Sequence, residues 1–178
     1  MACLILKTLE TAILDGDNIR AVVRSTGMNQ DGRTSSLTVP SGDAQEDLIR
    51  KVYTSAGLNP LHTQYVEAHG TGTPTGDPIE TAALARVFGP GRSAEKPLLI
   101  GSIKTNLGHL EGASGLAGLI KATLMIEKGY ILPNSSLQKP SDRILFKEWN
   151  LKVGRPLDSI VRPLCLHLQG SDSNRTVE

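Results

Sequence analysis

The stretch from residue 66 to residue 80, VEAHGTGTPTGDPIE, constrains the fold more than any other part of the sequence. A short β-favouring run leads to His69, and a loop rich in glycine and threonine follows it. A helix start comes next: Asp77 is suited to the N-cap, Pro78 to the first helical position, and Glu80 would complete a capping box. A strand, a glycine-rich turn and a helix are how α/β proteins present a side chain at the carboxyl end of a strand. We therefore expect His69 at such an end.

A second unit of the same design lies downstream. An apolar run over residues 98–103 predicts a strand, and an apolar stretch over residues 112–128 predicts a helix. Lys104 and His109 stand between them. Two strand-end histidines with a lysine between them in sequence form a constellation that neither histidine would form alone, and we expect the two rings to face a shared cavity.

The other elements are predicted from apolar runs and turn residues. Residues 2–9 and 19–25 read as two strands, which would pair antiparallel because the connection between them is short. Ser41 caps a predicted helix that Gly57 ends. After residue 40 the order is helix, strand, helix, strand, helix, which predicts an α/β fold with parallel strands covered by helices.

The predicted helix 112–128 carries three glycines on one side, at positions 112, 115 and 118. Glycine costs helix stability, roughly 1 kcal/mol relative to alanine, so this stripe favours a second backbone that passes close by. The helix is apolar on most faces, which predicts a central, buried position. An irregular segment is expected over residues 130–150, a strand over residues 161–168, and a disordered tail after them.

Composition excludes several classes of protein. The 178 residues carry a net charge of +1, which gives no electrostatic reason to expect a nucleic acid or an anionic membrane as partner. No apolar run is long enough to span a membrane and the start lacks a secretory leader, so we expect a cytoplasmic protein. Cys3 and Cys165 lie near opposite ends of the sequence and suggest no disulfide framework.

The chemistry of the constellation follows from where its members stand. A position just before a helix N-terminus disfavours a charged imidazole, so His109 is expected to be neutral and to donate one N–H. Neutral imidazoles that donate to a carbonyl oxygen stabilise an enolate or an oxyanion. Taken alone, His69 would more often be a structural histidine. Lys104 either pairs with Glu111 or a histidine, or emerges into solvent at the strand end.

Three other features of the sequence allow a functional interpretation. The hydroxyls of Thr71 and Thr73 could bind the amides of a thin substrate arm, or could simply cap their own loop. Residues 27–34, GMNQDGRT, nearly spell a phosphate-binding loop, but Arg33 replaces the lysine and no helix follows. A zinc site is a weak alternative, because the four histidines have no ligand spacing.

Three motifs carry a resemblance to a known family: GMNQDGRT at 27–34, VEAHGTGTPTGDPIE at 66–80, and GSIKTNLGHLEG at 101–112. The chain resembles the C-terminal part of a β-ketoacyl synthase (ketosynthase) domain of a type I polyketide synthase of the fungal iterative kind. The resemblance covers about residues 2–157. It implies an incomplete thiolase-like fold, with most of the C-terminal half and the last strands of the N-terminal half. The implied domains are residues 1–31, residues 32–157 and a divergent tail at 158–178.

The family reaction is a decarboxylative Claisen condensation of acyl and malonyl thioesters. The resemblance implies that His69 and His109 hold the thioester carbonyl and support decarboxylation, and that Lys104 helps to set the second histidine. Thr71 and Thr73 would line the pantetheine arm, and Glu111 would support the site. No cofactor would bind directly, since phosphopantetheine of acyl carrier protein carries the substrates. The implied partners are that carrier protein and a second copy or a complementary ketosynthase part.

The sequence departs from the family pattern at the nucleophile. The family places a reactive cysteine in a Cys-Ser-Ser elbow upstream of the first histidine, and no such elbow occurs in these residues. Cys3 stands in a different motif, and Cys165 lies beyond the matched region. Two hypotheses follow: a ketosynthase-derived chain limited to decarboxylation, or a non-catalytic chain that pairs with a complete ketosynthase.

Overall fold

Within the described residues, the centre of the structure is a three-stranded parallel sheet with helices on both faces. The computed structural model describes residues 2–34, 36 and 39–154. Its strands are β1 (Tyr65–Glu67), β2 (Leu98–Gly101) and β3 (Leu151–Val153). Its helices are α1 (Leu9–Leu14), α2 (Gly42–Ser55), α3 (Gly76–Phe88), α4 (Lys104–Leu107) and α5 (Ser114–Lys128), with 3₁₀ turns at Pro60–His62 and Glu111–Ala113.

Strand β2 lies in the middle of the sheet, and all four of its residues are buried. Successive side chains of a strand point to opposite faces, which assigns each of them to one layer. Leu98 and Ile100 pack with the apolar face of α3, whereas Leu99 packs with Met125 of α5. The predicted layering of parallel strands between helices is therefore confirmed, and the continuous apolar run of β2 is the reason for it.

Helix α2 begins where its cap residue predicts. The Ser41 hydroxyl accepts a hydrogen bond from the Ala44 backbone N–H at 3.1 Å. The helix ends before Gly57, whose φ of +63° is a conformation that glycine adopts without strain. Glu46 of α2 pairs with Arg86 of α3, which ties the two helices together on one side of the sheet.

Helix α3 begins earlier than predicted, at Gly76, with Thr75 as its N-cap. The predicted capping box is wrong. The Asp77 carboxylate accepts from the Gly72 N–H at 3.1 Å and so holds the preceding loop, and Glu80 bonds to the backbone that follows β1. Both carboxylates accept from N–H groups of the loop, so neither of them caps the helix.

The two strands predicted over residues 2–9 and 19–25 are wrong. Within the described residues neither segment forms a ladder, and residues 9–14 form α1, which begins with a local cap from Thr8. The Ile5 residue is 96% exposed. A strand needs a hydrogen-bonding neighbour, and the described part of the chain places none beside these segments.

Helix α5 is buried along one face only, contrary to the prediction of a fully central helix. Leu119 and Leu124 are exposed, and its buried face carries Ser114, Gly118, Lys121 and Met125. The expected close backbone is also wrong. Among the described residues, a Cβ at Gly112 or Gly115 would meet nothing within 4 Å, and one at Gly118 would meet a side chain, that of Glu67, at 3.2 Å.

The segment over residues 130–150 contains turns and no helix or strand, as predicted. Strand β3 was not predicted, because three residues are too few to give a periodic pattern. The predicted strand over 161–168, the predicted tail after it and Cys165 lie outside the described residues.

None of the helices in the described ranges is long and apolar enough to span a membrane. Within these ranges, no group of three His, Cys, Asp or Glu side chains is arranged to hold a metal ion.

Candidate active site

His69 lies two residues beyond the end of β1, and its backbone is held on both sides. The Glu80 carboxylate accepts from the His69 N–H at 2.6 Å and from the Gly70 N–H at 2.9 Å. The Ser102 hydroxyl donates to the His69 carbonyl at 3.2 Å. Ser102 directly follows β2, so the ends of the two neighbouring strands are joined at this point.

His109 is oriented by contacts to one of its ring nitrogens. The Glu111 backbone N–H donates to His109 Nδ1 at 3.1 Å, and the Ser114 hydroxyl lies 2.8 Å from the same atom. A nitrogen that accepts a backbone N–H carries no proton of its own. The geometry therefore assigns the proton to Nε2, on the opposite side of the ring, as a hydrogen-bond donor. Glu111 has a φ of +48°, an uncommon value for a residue other than glycine, and this places its N–H.

The two histidine rings are neighbours. Their centroids are 5.3 Å apart and their planes meet at 86°, an edge-to-face arrangement. The reason is the topology of the sheet: β1 and β2 are adjacent and parallel, so the segments that follow their carboxyl ends meet at one edge. The pairing of the histidines was predicted from sequence, whereas their catalytic roles remain a prediction.

Lys104 is the first residue of α4 and is half-buried. Its ammonium forms no ion pair in the described part of the chain, so of the two alternatives for Lys104, pairing with Glu111 or a histidine is the one that is not observed. The side chain instead lines a cavity, which agrees with the alternative that it emerges at the strand end. An ammonium without a fixed counter-ion is suited to attract a negatively charged ligand.

This cavity has a volume of about 430 Å³ and is open to solvent. Its lining includes Glu67, His69, Ile103, Lys104, Ser114 and Gly118. A cavity of similar size, about 420 Å³, lies against α3 on another part of the molecule. Its lining holds no histidine or lysine, and its arginine, Arg86, is already paired with Glu46. The cavity beside β1 and α5 therefore combines two of the predicted site residues, His69 and Lys104, whereas His109 is not among the described residues that line it and adjoins it through its contact with His69.

The two threonines differ. Thr73 Oγ1 accepts from the Gly76 N–H at 3.1 Å, so this side chain stabilises its own loop. Thr71 is half-buried and its hydroxyl forms no hydrogen bond with the residues that the structure describes. Glu111 is exposed, and its contact with His109 is made by its backbone. Thr71 is therefore the better placed of the two threonines to bind a ligand amide.

Four residues of the site were missed by sequence reasoning. Ser114 contacts the His109 ring and Glu80 holds the His69 backbone. Glu67 and Lys121 form a buried ion pair beside the cavity, with a separation of 2.8 Å. The signal for Lys121 was present in the sequence, since it is a lysine within the otherwise apolar stretch GLAGLIKATLMI.

Comparison with known proteins decides the family. Residues 20–138 match the model of the C-terminal domain of β-ketoacyl synthases. The chain belongs to this family. The match is shorter than the resemblance predicted from sequence, which extended to about residue 157.

Relatives and solved structures agree with this assignment. The chain is 60% identical over 153 residues to the highly reducing polyketide synthase tstA of Talaromyces stipitatus, and 57% identical over 153 residues to Preu1 of Preussia isomera. Each alignment covers 86% of this chain and 6% of the relative. The ketosynthase from module 6 of the bacillaene synthase of Bacillus subtilis superposes with a TM-score of 0.78 at 39% identity, over 83% of this chain and 26% of that one.

The chain therefore represents the C-terminal part of a ketosynthase domain of a type I polyketide synthase, with an incomplete thiolase-like α/β fold. It spans 6% of the length of its curated relatives and about a quarter of the bacillaene ketosynthase. The predicted family and fold are confirmed. The proposed division at residues 31 and 157 stays a prediction.

Proposed function

We propose that this chain supplies the histidine–lysine side of a ketosynthase active site and acts on a malonyl thioester carried by phosphopantetheine on acyl carrier protein. The observation that carries the proposal is the edge-to-face pair of His69 and His109, with ring centroids 5.3 Å apart, beside a cavity that His69 and Lys104 line. Two full-length relatives are named as highly reducing polyketide synthases, and this supports a carrier-bound thioester as the class of substrate.

The proposed step is decarboxylation. The bond between the malonyl carboxylate and the α-carbon breaks, carbon dioxide leaves, and the electron pair is delocalised onto the thioester oxygen as an enolate. The Nε2–H of His109 donates to that oxygen, and His69 supplies a second donor. Protonation of the enolate by water yields an acetyl thioester. The Lys104 ammonium places positive charge where the malonyl carboxylate binds. The Thr71 hydroxyl forms a hydrogen bond with an amide of the pantetheine arm.

Condensation would need an acyl group on a cysteine nucleophile. Neither cysteine in these residues stands in a Cys-Ser-Ser elbow, so the proposal for this chain ends at decarboxylation. A nucleophile on another polypeptide segment would extend the reaction to carbon–carbon bond formation.

The test measures release of carbon dioxide from malonyl-loaded carrier protein. The variant that combines His69→Ala and His109→Ala should lose on the order of 100-fold in turnover, because one oxyanion donor alone is worth about that much. The matched control is His62→Ala, since His62 is an exposed histidine in the 3₁₀ turn before β1. Equal turnover by the wild type and the double variant would contradict the proposal.

A second candidate function is that of a non-catalytic chain that associates with a complete ketosynthase or with a second copy of itself. The observation in its favour is the exposure of large apolar side chains near the N-terminus: Ile5 is 96% exposed and Leu6 is 77% exposed. Size-exclusion chromatography with light scattering, alone and with a complete ketosynthase, tests it. A monodisperse monomer that takes up no partner counts against this function.

A further inference from the structure

An ion pair between Glu67 and Lys121 lies at the cavity, and Glu67 is one of the residues that line it. Glu67 is the last residue of β1 and lies two positions before His69. Lys121 lies on the buried face of α5 and its side chain is 5% exposed, whereas that of Glu67 is 13% exposed. The Lys121 ammonium is 2.8 Å from Glu67 Oε2.

Tyr65 completes this cluster. Its hydroxyl donates to Glu67 Oε2, and Lys121 Nζ donates to the tyrosine oxygen at 2.8 Å. Burial, and then the neighbouring Glu67 carboxylate, raise the pKa of the Tyr65 hydroxyl far above its usual value, so the tyrosine keeps its proton. The cluster therefore holds one negative and one positive charge, each with a hydrogen-bonding partner.

The other oxygen of Glu67, Oε1, binds the backbone at the start of α4. Glu67 Oε1 accepts from the backbone N–H of Ile103 at 2.5 Å. Ile103 is the residue that precedes α4, and its side chain makes no cap there. Its N–H is one of those that a helix start leaves without a partner within the helix. Glu67 thus satisfies the start of α4 from a different strand.

This contact joins the two halves of the site. On one side of it the chain continues from Glu67 to His69. On the other it continues from Ile103 to Lys104, and then through Gly108, whose N–H donates to the Lys104 carbonyl at 2.9 Å, to His109. The position of Lys104 relative to His69 therefore depends on the hydrogen bond between Glu67 and Ile103.

We propose that Glu67 and Lys121 are positioning residues: Lys121 keeps the Glu67 carboxylate in place, and Glu67 holds the start of α4, with Lys104, against the segment that carries His69. The importance of this contact for catalysis rests on the proposed function, whereas the contact itself does not depend on it. A buried carboxylate that loses its counter-ion is costly, and the open cavity beside Glu67 gives it a way to turn toward water. It would then release Ile103.

The test uses three variants of the full chain. Lys121→Met removes the ammonium and keeps an unbranched side chain of similar length. The double variant E67Q/K121M removes both charges but retains an oxygen that accepts from Ile103. The double variant E67A/K121M also removes both charges and lacks that acceptor, so it is the matched control.

Amide hydrogen exchange at Ile103, measured by NMR, reports the contact directly. The reference is the Leu99 amide in β2, which donates its hydrogen bond to the Gln64 carbonyl. Relative to Leu99, exchange at Ile103 should accelerate on the order of tenfold in Lys121→Met and in E67A/K121M, and should return close to wild type in E67Q/K121M. Unchanged Ile103 exchange in folded Lys121→Met would overturn the inference. If Lys121→Met does not fold, equal protection in the two double variants would overturn it.

Decarboxylation of malonyl carrier protein gives the second readout. The maximal rate should fall in E67A/K121M and recover in E67Q/K121M, a rescue that loss of packing alone would not produce. Equal rates in the two double variants would overturn the positioning role. If no variant and no wild type releases carbon dioxide while Ile103 follows the expected pattern, the positioning contact stands and the proposed function falls.

Discussion

The orientation of His109 is set by atoms within five residues of it. The Glu111 N–H and the Ser114 hydroxyl both contact Nδ1, which leaves Nε2 as the donor. His69 is held differently, since its backbone is fixed by Glu80 eleven residues later and by Ser102 of the next strand unit. One histidine is therefore set by local contacts and the other by tertiary contacts, so they are expected to respond to different substitutions.

The glycine after His69 has a steric requirement that its neighbour in the loop lacks. Gly70 has a φ of +49°, and a Cβ there would lie 2.8 Å from Ser102 Cβ. Gly72 has a φ of +77°, and a Cβ there would meet no atom of the described residues within 4 Å. Gly72→Ala should cost about 1 kcal/mol in free energy of unfolding, from the left-handed backbone alone. Gly70→Ala should cost a further 1–3 kcal/mol, roughly, from the clash. Urea denaturation measures both, and equal losses would contradict this account of Gly70.

At the scale of elements, β2 connects the two helical layers. Its side chains alternate between α3 on one face and α5 on the other. The site lies just beyond the carboxyl end of this strand, so the stability of the sheet and the geometry of the site depend on the same residues.

Leu98 tests that dependence because it is 0% exposed. Leu98→Ala should lower the free energy of unfolding by about 2–5 kcal/mol, since the removed methyl groups leave a cavity in a packed layer. The control is Leu119→Ala on α5. Leu119 is 41% exposed, so this variant should lose under about 1 kcal/mol in free energy of unfolding. Similar losses in thermal or urea unfolding would contradict the assignment of the core.

The contact between α2 and α3 gives a pH-dependent prediction. Hydrogen bonds from Arg86, and then from Arg50, lower the pKa of the Glu46 carboxyl below its usual value of about 4.5. A lowered pKa in the folded state means that the stability from charged Glu46 is complete above the unfolded value and is lost as the pH falls through the folded value. The stability difference between the wild type and Glu46→Gln should therefore shrink as the pH falls from about 5 to 3. A difference that is constant over this range, or that does not weaken in 1 M NaCl, would contradict the prediction.

At the scale of the whole molecule, the sequence was sufficient where local pattern and tertiary structure agree. The parallel strands β1 and β2, helix α2 and the proximity of the two histidines followed from apolar runs, caps and the order of elements. The predictions failed where a partner from elsewhere decided the outcome. Glu80 and Asp77 bind loop N–H groups in place of helix caps, and Gly118 receives the Glu67 side chain in place of a backbone.

The strands predicted near the N-terminus failed for a related reason. An apolar run at 2–9 specifies a strand only when neighbouring strands are present to bond to it, and the described residues supply none there. The ion pair of Glu67 and Lys121 could not be predicted from the sequence either, because no periodic pattern relates residues that are 54 positions apart. Such contacts depend on the packing of α5 against β1.

A double-mutant cycle on malonyl decarboxylation tests whether His69 and His109 act on the same oxygen atom. Carbon dioxide release is measured for the wild type, His69→Ala, His109→Ala and the double variant. If both imidazoles stabilise the same enolate, each single variant should lose most of what the double variant loses, because residues that act as a unit are strongly non-additive. Losses that multiply independently, or turnover that no variant changes, would contradict the claim.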